Sequence, residues 1–348
     1  MEDRQEIMKL ISRLGIGPMS SEIIEAVFRY SEEYKTPLML IASKNQIDWS
    51  GGYVNNWNTT QYASFIKKMR TQHPNSKVYI CRDHCGPGFN GKDLKDTKNT
   101  VSSDIENNFD LIHVDYSKYK GTYSQIKKLT IDTIKFIHKS NPKILLEVGT
   151  DENIGKVIVN QEKIREELNI FTNIAPIHFY VHQTGSLILE INQVGSFNKK
   201  SIRKIKETVS KFNVFLKEHN ADYLTRSQIG DRKGVVDAQN IAPQCGVIQT
   251  SLLIEKGLEY GININPFLNT SYESKKWEKW LYKNNPENKF LCSLIAGHYC
   301  FSTKEYKKIV DSINKYENFS ETVISSIINN IDNYVNSERI NEKIKKAH

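Results

Sequence analysis

Residues 78–87 read Val-Tyr-Ile-Cys-Arg-Asp-His-Cys-Gly-Pro, a short apolar run that ends in a carboxylate and an imidazole and is closed by the Gly86-Pro87 turn. A strand whose reactive side chains gather at its C-terminal end has the form of one unit of an α/β barrel. Working outward from Val78 to Asp83, seven comparable runs appear: Leu14 to Met19, Leu38 to Ser43, Leu111 to Asp115, Ile144 to Gly149, Ile177 to His182, Val214 to His219 and Val235 to Pro243. Several are nearly continuous in Val, Ile and Leu, as strands covered on both faces require.

The segments between these runs read as amphipathic helices. Ser20 and Ser21 can cap a run to Tyr34, Thr59 and Thr60 one to Arg70, and Ser201 a lysine-rich run ending near Phe212, with Gly246 to Lys256 the last. This alternation predicts repeated βα units around a parallel sheet. Eight strands with eight helices close a (β/α)8 TIM barrel, which needs about 250 residues. In a chain of 348 residues, the barrel takes residues 1–264 and leaves 265–348 as a C-terminal helical extension. The extension carries Trp277 and Trp280 close together and an amphipathic stretch from Val323 to Ile331, suited to packing on the barrel or on a partner subunit. Its charged end, Glu338 to His348, is expected to fray.

Composition removes several function classes. With 39% hydrophobic and 25% charged residues the chain suits a folded globular protein and not a disordered one. No stretch approaches the roughly 18 apolar residues of a membrane helix, and the start, MEDRQEIMKLISRLGIG, does not read as a secretory signal. Five cysteines, odd in number and without paired metal-finger spacing, point to free thiols in a reducing compartment, so the expected location is cytoplasmic. The net charge of +8 is spread over faces such as Lys199 to Lys211 and Lys343 to Lys346. Such faces are solvated, or supply a positive field that attracts small phosphorylated substrates. No nucleic-acid-binding motif, GxGxxG loop or Walker A pattern is present.

Chemistry in such a barrel is sought at the strand ends. His84, His182 and His219 arrive there from the third, sixth and seventh strands, with His178 a deeper competitor to His182. Three imidazoles with an open position suit a catalytic divalent metal that polarises a carbonyl. Asp83 with Glu147 or Glu152 can divide proton transfer between an acid and a base, and Asp115 and Ser117 can orient neighbours. In the loop after the second strand, Lys44, Asn45 and backbone amides up to Gly51-Gly52-Tyr53 can hold phosphate or sugar hydroxyls.

At these residues a resemblance enters. Ser43-Lys-Asn-Gln46, Gly51-Gly-Tyr53, Asp83-His84 with Gly86-Pro87, His113-Val-Asp115, Gly149-Thr150, and His219 with Asp222-Tyr223 together look like the tagatose-bisphosphate aldolase accessory (Z-type) subunit family. The likeness runs from about Gly15 to about Lys315, with Trp277 and Trp280 falling where that family has an aromatic cluster. The family is a branch of the class II aldolase barrels. In its catalytic relatives an Asp-His pair after strand three supplies the proton-transferring acid and a zinc ligand, and two further histidines end strands six and seven. The resemblance implies those roles for Asp83, His84, His182 and His219.

This chain also departs from the pattern. It has Val181-His182-Gln183-Thr184-Gly185 where Z-type subunits have a Val-Gln-Pro-Gly-like turn, Ile41 in place of a glutamate, and Lys44 in a serine-like position. The implied activity is aldol or retro-aldol chemistry on a ketose phosphate, or 4-epimerisation by retro-aldol cleavage and rebinding, with Asn45, Gln46, Asp222 and Gln244 as substrate contacts. The alternative is a non-catalytic subunit that stabilises a catalytic aldolase. The implied partners are a sugar phosphate and either a second copy of the chain or that catalytic subunit.

Overall fold

The structure, a computed structural model, describes residues 13–91, 93–282 and 287–336. The strands are β1 (Leu14–Ile16), β2 (Leu38–Ser43), β3 (Val78–Cys85), β4 (Leu111–Val114), β5 (Leu145–Gly149), β6 (Phe179–Val181), β7 (Ile188–Leu189), β8 (Asn192–Gln193), β9 (Phe215–Glu218) and β10 (Ala238–Ile241). β7 and β8 form a small antiparallel hairpin in the connection after β6. The other eight pair in parallel and close on themselves in the order β1-β2-β3-β4-β5-β6-β9-β10. Each is followed by a helix: α1 (Ser21–Tyr34), α2 (Thr59–Gln72), α3 (Leu94–Glu106), α4 (Tyr123–Ser140), α5 (Gln161–Thr172), α6 (Lys199–Ser210), α7 (Arg226–Arg232) and α8 (Pro243–Glu259). The expected (β/α)8 barrel is therefore present.

The helix starts follow side-chain oxygens that reach the orphan amides of the first turn. Ser20 caps α1 as expected. α2 begins one residue earlier, on Asn58, whose side chain exchanges bonds reciprocally with Gln61. α6 is capped by Asn198, because Ser201 sits in the third helical position and its amide is the group that needs satisfying.

Alternation along the strands separates two apolar layers. Met39, Ile41, Cys81, Leu111, Phe179, Phe215 and Ala238 fill the lumen. The intervening residues, such as Leu40, Ile112, Leu146 and Leu216, pack outward on the helices. All five cysteines are free and buried.

The extension adds α9 (Asn265–Glu273), α10 (Lys289–Ala296), α11 (Lys304–Ile313) and α12 (Phe319–Val335), with single 3-10 turns at Glu278–Trp280 and Gly297–Cys300. α12 carries Ile324, Ile327 and Ile331 into the same buried cluster as Ile23, Val27 and Leu253 of the barrel helices. Tyr334 locks its end by donating from its hydroxyl to the Ala221 carbonyl at 2.8 Å. Among the described residues no helix is long and apolar enough to cross a membrane. Lys343 to Lys346 and the charged end Glu338 to His348 lie outside the described residues.

Candidate active site at the barrel mouth

In a regular strand neighbouring side chains face opposite ways, so Asp83 and His84 could not both reach the mouth. The register of β3 against β4 shifts between Arg82 and Cys85, and His84 takes a left-handed backbone with φ 46°. This bulge turns both side chains to one site, a device common beside active sites. It is held on the outer side by buried Arg82, which donates to both carboxylate oxygens of Asp104 at 2.6 and 2.8 Å. Gly86 follows because a Cβ there would collide with the Asp115 carbonyl.

Asp83, His84, His113 and His219 each bring a donor atom within 4.8 Å of the others. Their partners fix how the rings turn. His84 Nδ1 is 2.7 Å from Asp115 Oδ2, and Asp115 is itself held by Thr150 at 3.1 Å and the Ser117 amide at 2.9 Å. His219 Nε2 is 3.1 Å from Glu147 Oε1, while Glu147 Oε2 accepts from the Lys217 ammonium at 2.7 Å. These contacts leave His84 Nε2 and His219 Nδ1 facing each other at 3.2 Å. With the outer nitrogens donating to carboxylates, the two inner ones present lone pairs to each other, and only a proton or a cation between them removes the repulsion. Asp83 Oδ1 lies 3.7 Å from His219 Nδ1 and is buried with no hydrogen-bond partner. Two imidazole nitrogens and an orphan carboxylate oxygen are a donor set that fits a divalent ion such as Zn2+.

Without a metal, the proton between the rings belongs to His84. Burial works against charge on His84, but Asp83 and the hydrogen-bonded Asp115 outweigh it and lift the ring to about 9. His219 is pushed down to about 4 by burial, against the pull of Asp83 and Glu147. Burial alone would raise Asp83 and Glu147, yet the rings beside Asp83 and the ammonium beside Glu147 hold both carboxylates well below their usual range.

Several expected site residues lie elsewhere. His182 is not brought to the cluster: Phe179 occupies the lumen, so alternation sends Tyr180 and His182 outward. Its Nε2 meets the Ile158 carbonyl at 2.5 Å and its ring stacks on Tyr180. His113 stands in the cluster instead, its Nε2 donating to the Gly149 carbonyl at 2.9 Å and its Nδ1 accepting from the His84 amide at 3.2 Å. That ring is already satisfied, so it walls the site at least as readily as it ligates. His178 lies below, its Nδ1 accepting from the Leu146 amide at 3.3 Å.

Both oxygens of Glu147 are engaged, which makes it the orienter of His219 and not a free base. Glu152 is exposed on the loop after β5, near enough to Lys118 to favour its charge. Lys44, read as a phosphate contact, is buried and spends its ammonium on Asp96 at 2.5 Å, with Asp48 at 3.8 Å. Asn45 is exposed, and Gln46 is buried with Oε1 on the Ser43 amide at 2.8 Å. Asp222 and Gln244 serve the chain: Asp222 Oδ1 accepts from the Ala242 and Gln244 amides at the start of α8, and Gln244 bonds Tyr334 and Asn330 of α12.

Sequence reasoning missed three residues. His113 shares strand parity with Asp115 and was visible from that alone. Lys217 shares parity with His219. Asn240 comes from the lumen face of β10, and its buried amide nitrogen and oxygen both lack partners, which suits it to meeting a hydroxylated ligand.

Neither a scan against protein-family models nor a search of curated proteins gives a match. Among solved structures, a probable tagatose 6 phosphate kinase from Sinorhizobium meliloti superposes with TM-score 0.74 at 14% identity, over 94% of this chain and 93% of that one. A fructose-bisphosphate aldolase from Campylobacter jejuni does so with TM-score 0.61 at 13% identity, over 97% and 94%. The YdjI aldolase from Escherichia coli K12 gives TM-score 0.53 at 11% identity, over 92% and 96%. At such identities the likeness is one of fold.

Proposed function

We propose that this chain catalyses metal-dependent aldol or retro-aldol chemistry on a ketose phosphate. The observation that carries the reading is the pair of inward nitrogens, His84 Nε2 and His219 Nδ1, 3.2 Å apart beside the orphan oxygen of Asp83, a set in which a divalent ion would displace the shared proton. His84, His219 and Asp83 would hold the ion, with His113 against it; bound there, a divalent metal, Zn2+ for choice, supplies Lewis acidity toward a carbonyl oxygen. The neighbouring aldolase barrels support the reaction class by analogy of fold.

The chain's own groups divide the remaining work. Asp83 would face the ion through Oδ1, which leaves Oδ2 as the atom to take a proton from a substrate hydroxyl. Glu147 keeps His219 in one tautomer, and Asp115 does the same for His84. Asn240 offers a donor and an acceptor to the sugar. Glu152, exposed on the loop after β5, is a carboxylate that could serve a carbon acid. Cleavage releases a triose, whereas rebinding of the aldehyde by its other face gives the 4-epimer from the same groups.

A second reading rests on His182. Its ring is turned to Ile158, as it would be in a subunit that stabilises a catalytic aldolase without doing chemistry. Elemental analysis of the reconstituted wild type and of a His84→Ala, His219→Ala variant tests both. Near-stoichiometric metal lost in the variant supports the enzyme and justifies product analysis of ketose phosphates. No metal in either leaves the subunit reading.

A further inference from the structure

Three features of the extension stand over the barrel mouth and have no part in the chemistry above. The turn Glu278–Trp280 is pinned to the β7-β8 hairpin by the Glu190 amide, which donates to the Trp280 carbonyl at 2.6 Å. It presents Lys279, whose Nζ stands 4.5 Å from the Trp280 ring centre and 5.9 Å from that of Tyr299. The next turn delivers His298, which packs against Gly246 in the first turn of α8 and lies 4.0 Å from Tyr299 and 5.9 Å from Tyr53, centre to centre.

From the barrel side comes Lys118, in the loop after β4. Its Nζ stands 4.0 Å over the Phe89 ring, and Phe89 stacks on His84 with centres 4.8 Å apart. Lys118 thus adjoins the metal cluster and Lys279 adjoins His298. The two lysines are close enough to act on each other: Lys118, exposed but partly desolvated by its surroundings, is held below the usual lysine range by that desolvation and then by the Lys279 charge. Neither is ion-paired at contact distance among the described residues, Asp115 and Glu152 acting on Lys118 only from further off.

Two like charges that repel each other at the mouth are a cost that a bound anion relieves. His298 adds a second unmet demand. It is 1% exposed, and neither ring nitrogen makes a well-formed hydrogen bond, a loose contact to the Ile295 carbonyl aside. Burial and the Lys279 charge keep it neutral, pushed down to about 3, so it retains one N–H to donate. The Trp280 indole N–H is likewise buried and without a partner.

We infer that Lys118, Lys279 and His298 form a subsite for the phosphate group of the substrate, so that the extension completes the active site. The inference rests on the sugar-phosphate reading and adds where the phosphate is held. Lys118 would bridge it toward the metal cluster, while Lys279 and His298 would take its outer oxygens by charge-assisted bonds. The distance from phosphate to metal cluster would then select among ketose phosphates by length.

The test titrates inorganic phosphate into metal-free, full-length protein at fixed ionic strength, read by calorimetry and by phosphorus line width. Saturable binding is expected in the wild type, weakened about tenfold in Lys118→Met and in Lys279→Met and lost in the double variant. His298→Phe, which keeps ring bulk without donors, should also weaken it. Lys276→Met, which removes a nearby exposed charge, should not. Both lysines are exposed, so these variants leave the core intact. Absence of saturable binding in the wild type, or equal affinity in the double variant, overturns the subsite. Neither metal nor ketose is present, so the result is independent of the aldol reading. Phosphate binding retained beside a failed metal analysis would leave the subsite standing and remove the chemistry.

Discussion

Lys217 is the residue on which the site's electrostatics turn. It is buried in the lumen 2.7 Å from Glu147, and through Glu147 it fixes the ring of His219. Removing one partner of a buried pair leaves the other uncompensated, a loss of about 3 to 5 kcal/mol. Lys217→Met should therefore destabilise the fold in urea, and Glu147→Gln added to it should restore much of the loss. The same variant should bind metal about 10- to 100-fold more weakly, the usual cost of losing an outer-shell partner, in competition with a chromophoric chelator. Unchanged affinity would sever Lys217 from the site. Asp222 makes a different prediction. Burial raises it to about 7 although three backbone amides, its own included, oppose the shift. Between its ordinary value of 3.8 and about 7 the folded chain keeps a proton that the unfolded chain releases, so stability falls as pH rises through that window. The ceiling is about 4 kcal/mol at about 1.4 kcal/mol per tenfold change in proton affinity. Asp222→Asn should flatten this part of the stability profile measured between about pH 4 and about pH 8, and an unaltered slope would assign it to other groups.

At the scale of the element, the mouth depends on close backbone approaches. Gly149 ends β5 with φ 94°, a Cβ there would strike the Val181 carbonyl, and its own carbonyl receives His113. Gly234 has a similar φ of 75° but open space around it. Backbone strain of about 1 to 3 kcal/mol is common to both positions. Gly149→Ala should thus lower the unfolding temperature clearly more than Gly234→Ala, and equal losses would deny the collision. The same level explains what the sequence made legible. Doubly covered strands announce themselves as apolar runs, so β2 appears at its full extent and the other barrel strands within a few residues. Which side chains meet at the mouth depends on parity and on irregularities. Grouping histidines by nearness to a strand end put His182 with His84 and His219, although the three-residue strand Phe179–Val181 turns it outward. The bulge that brings His84 in has no compositional mark, because its left-handed residue is a histidine where a glycine would have been a signal.

For the whole molecule, the extension shares the barrel's core and, on the inference above, its substrate site. α12 buries Phe319, Val323, Ile327 and Ile331 in the cluster that contains Ile23, Ile24 and Val27 of α1 and Leu253 of α8. Arg29 of α1 also reaches Glu321 at 2.7 Å, but that pair is solvent-exposed and adds little beside the apolar contact. A layer built this way has no apolar surface to spare, so the barrel and extension should unfold together. Ile327→Ala removes buried side chain at their junction and should cost about 2 to 5 kcal/mol. Calorimetry should show that loss as one transition moved down in temperature. Trp49 and Trp57 report on the barrel and Trp277 and Trp280 on the extension, so variants keeping one pair at a time separate the two signals. Coincident curves mean that the roof over the mouth is as stable as the barrel beneath it, which a rigid phosphate subsite requires. An extension signal lost at lower temperature, with the barrel signal unmoved by Ile327→Ala, would make the extension a separately folding attachment.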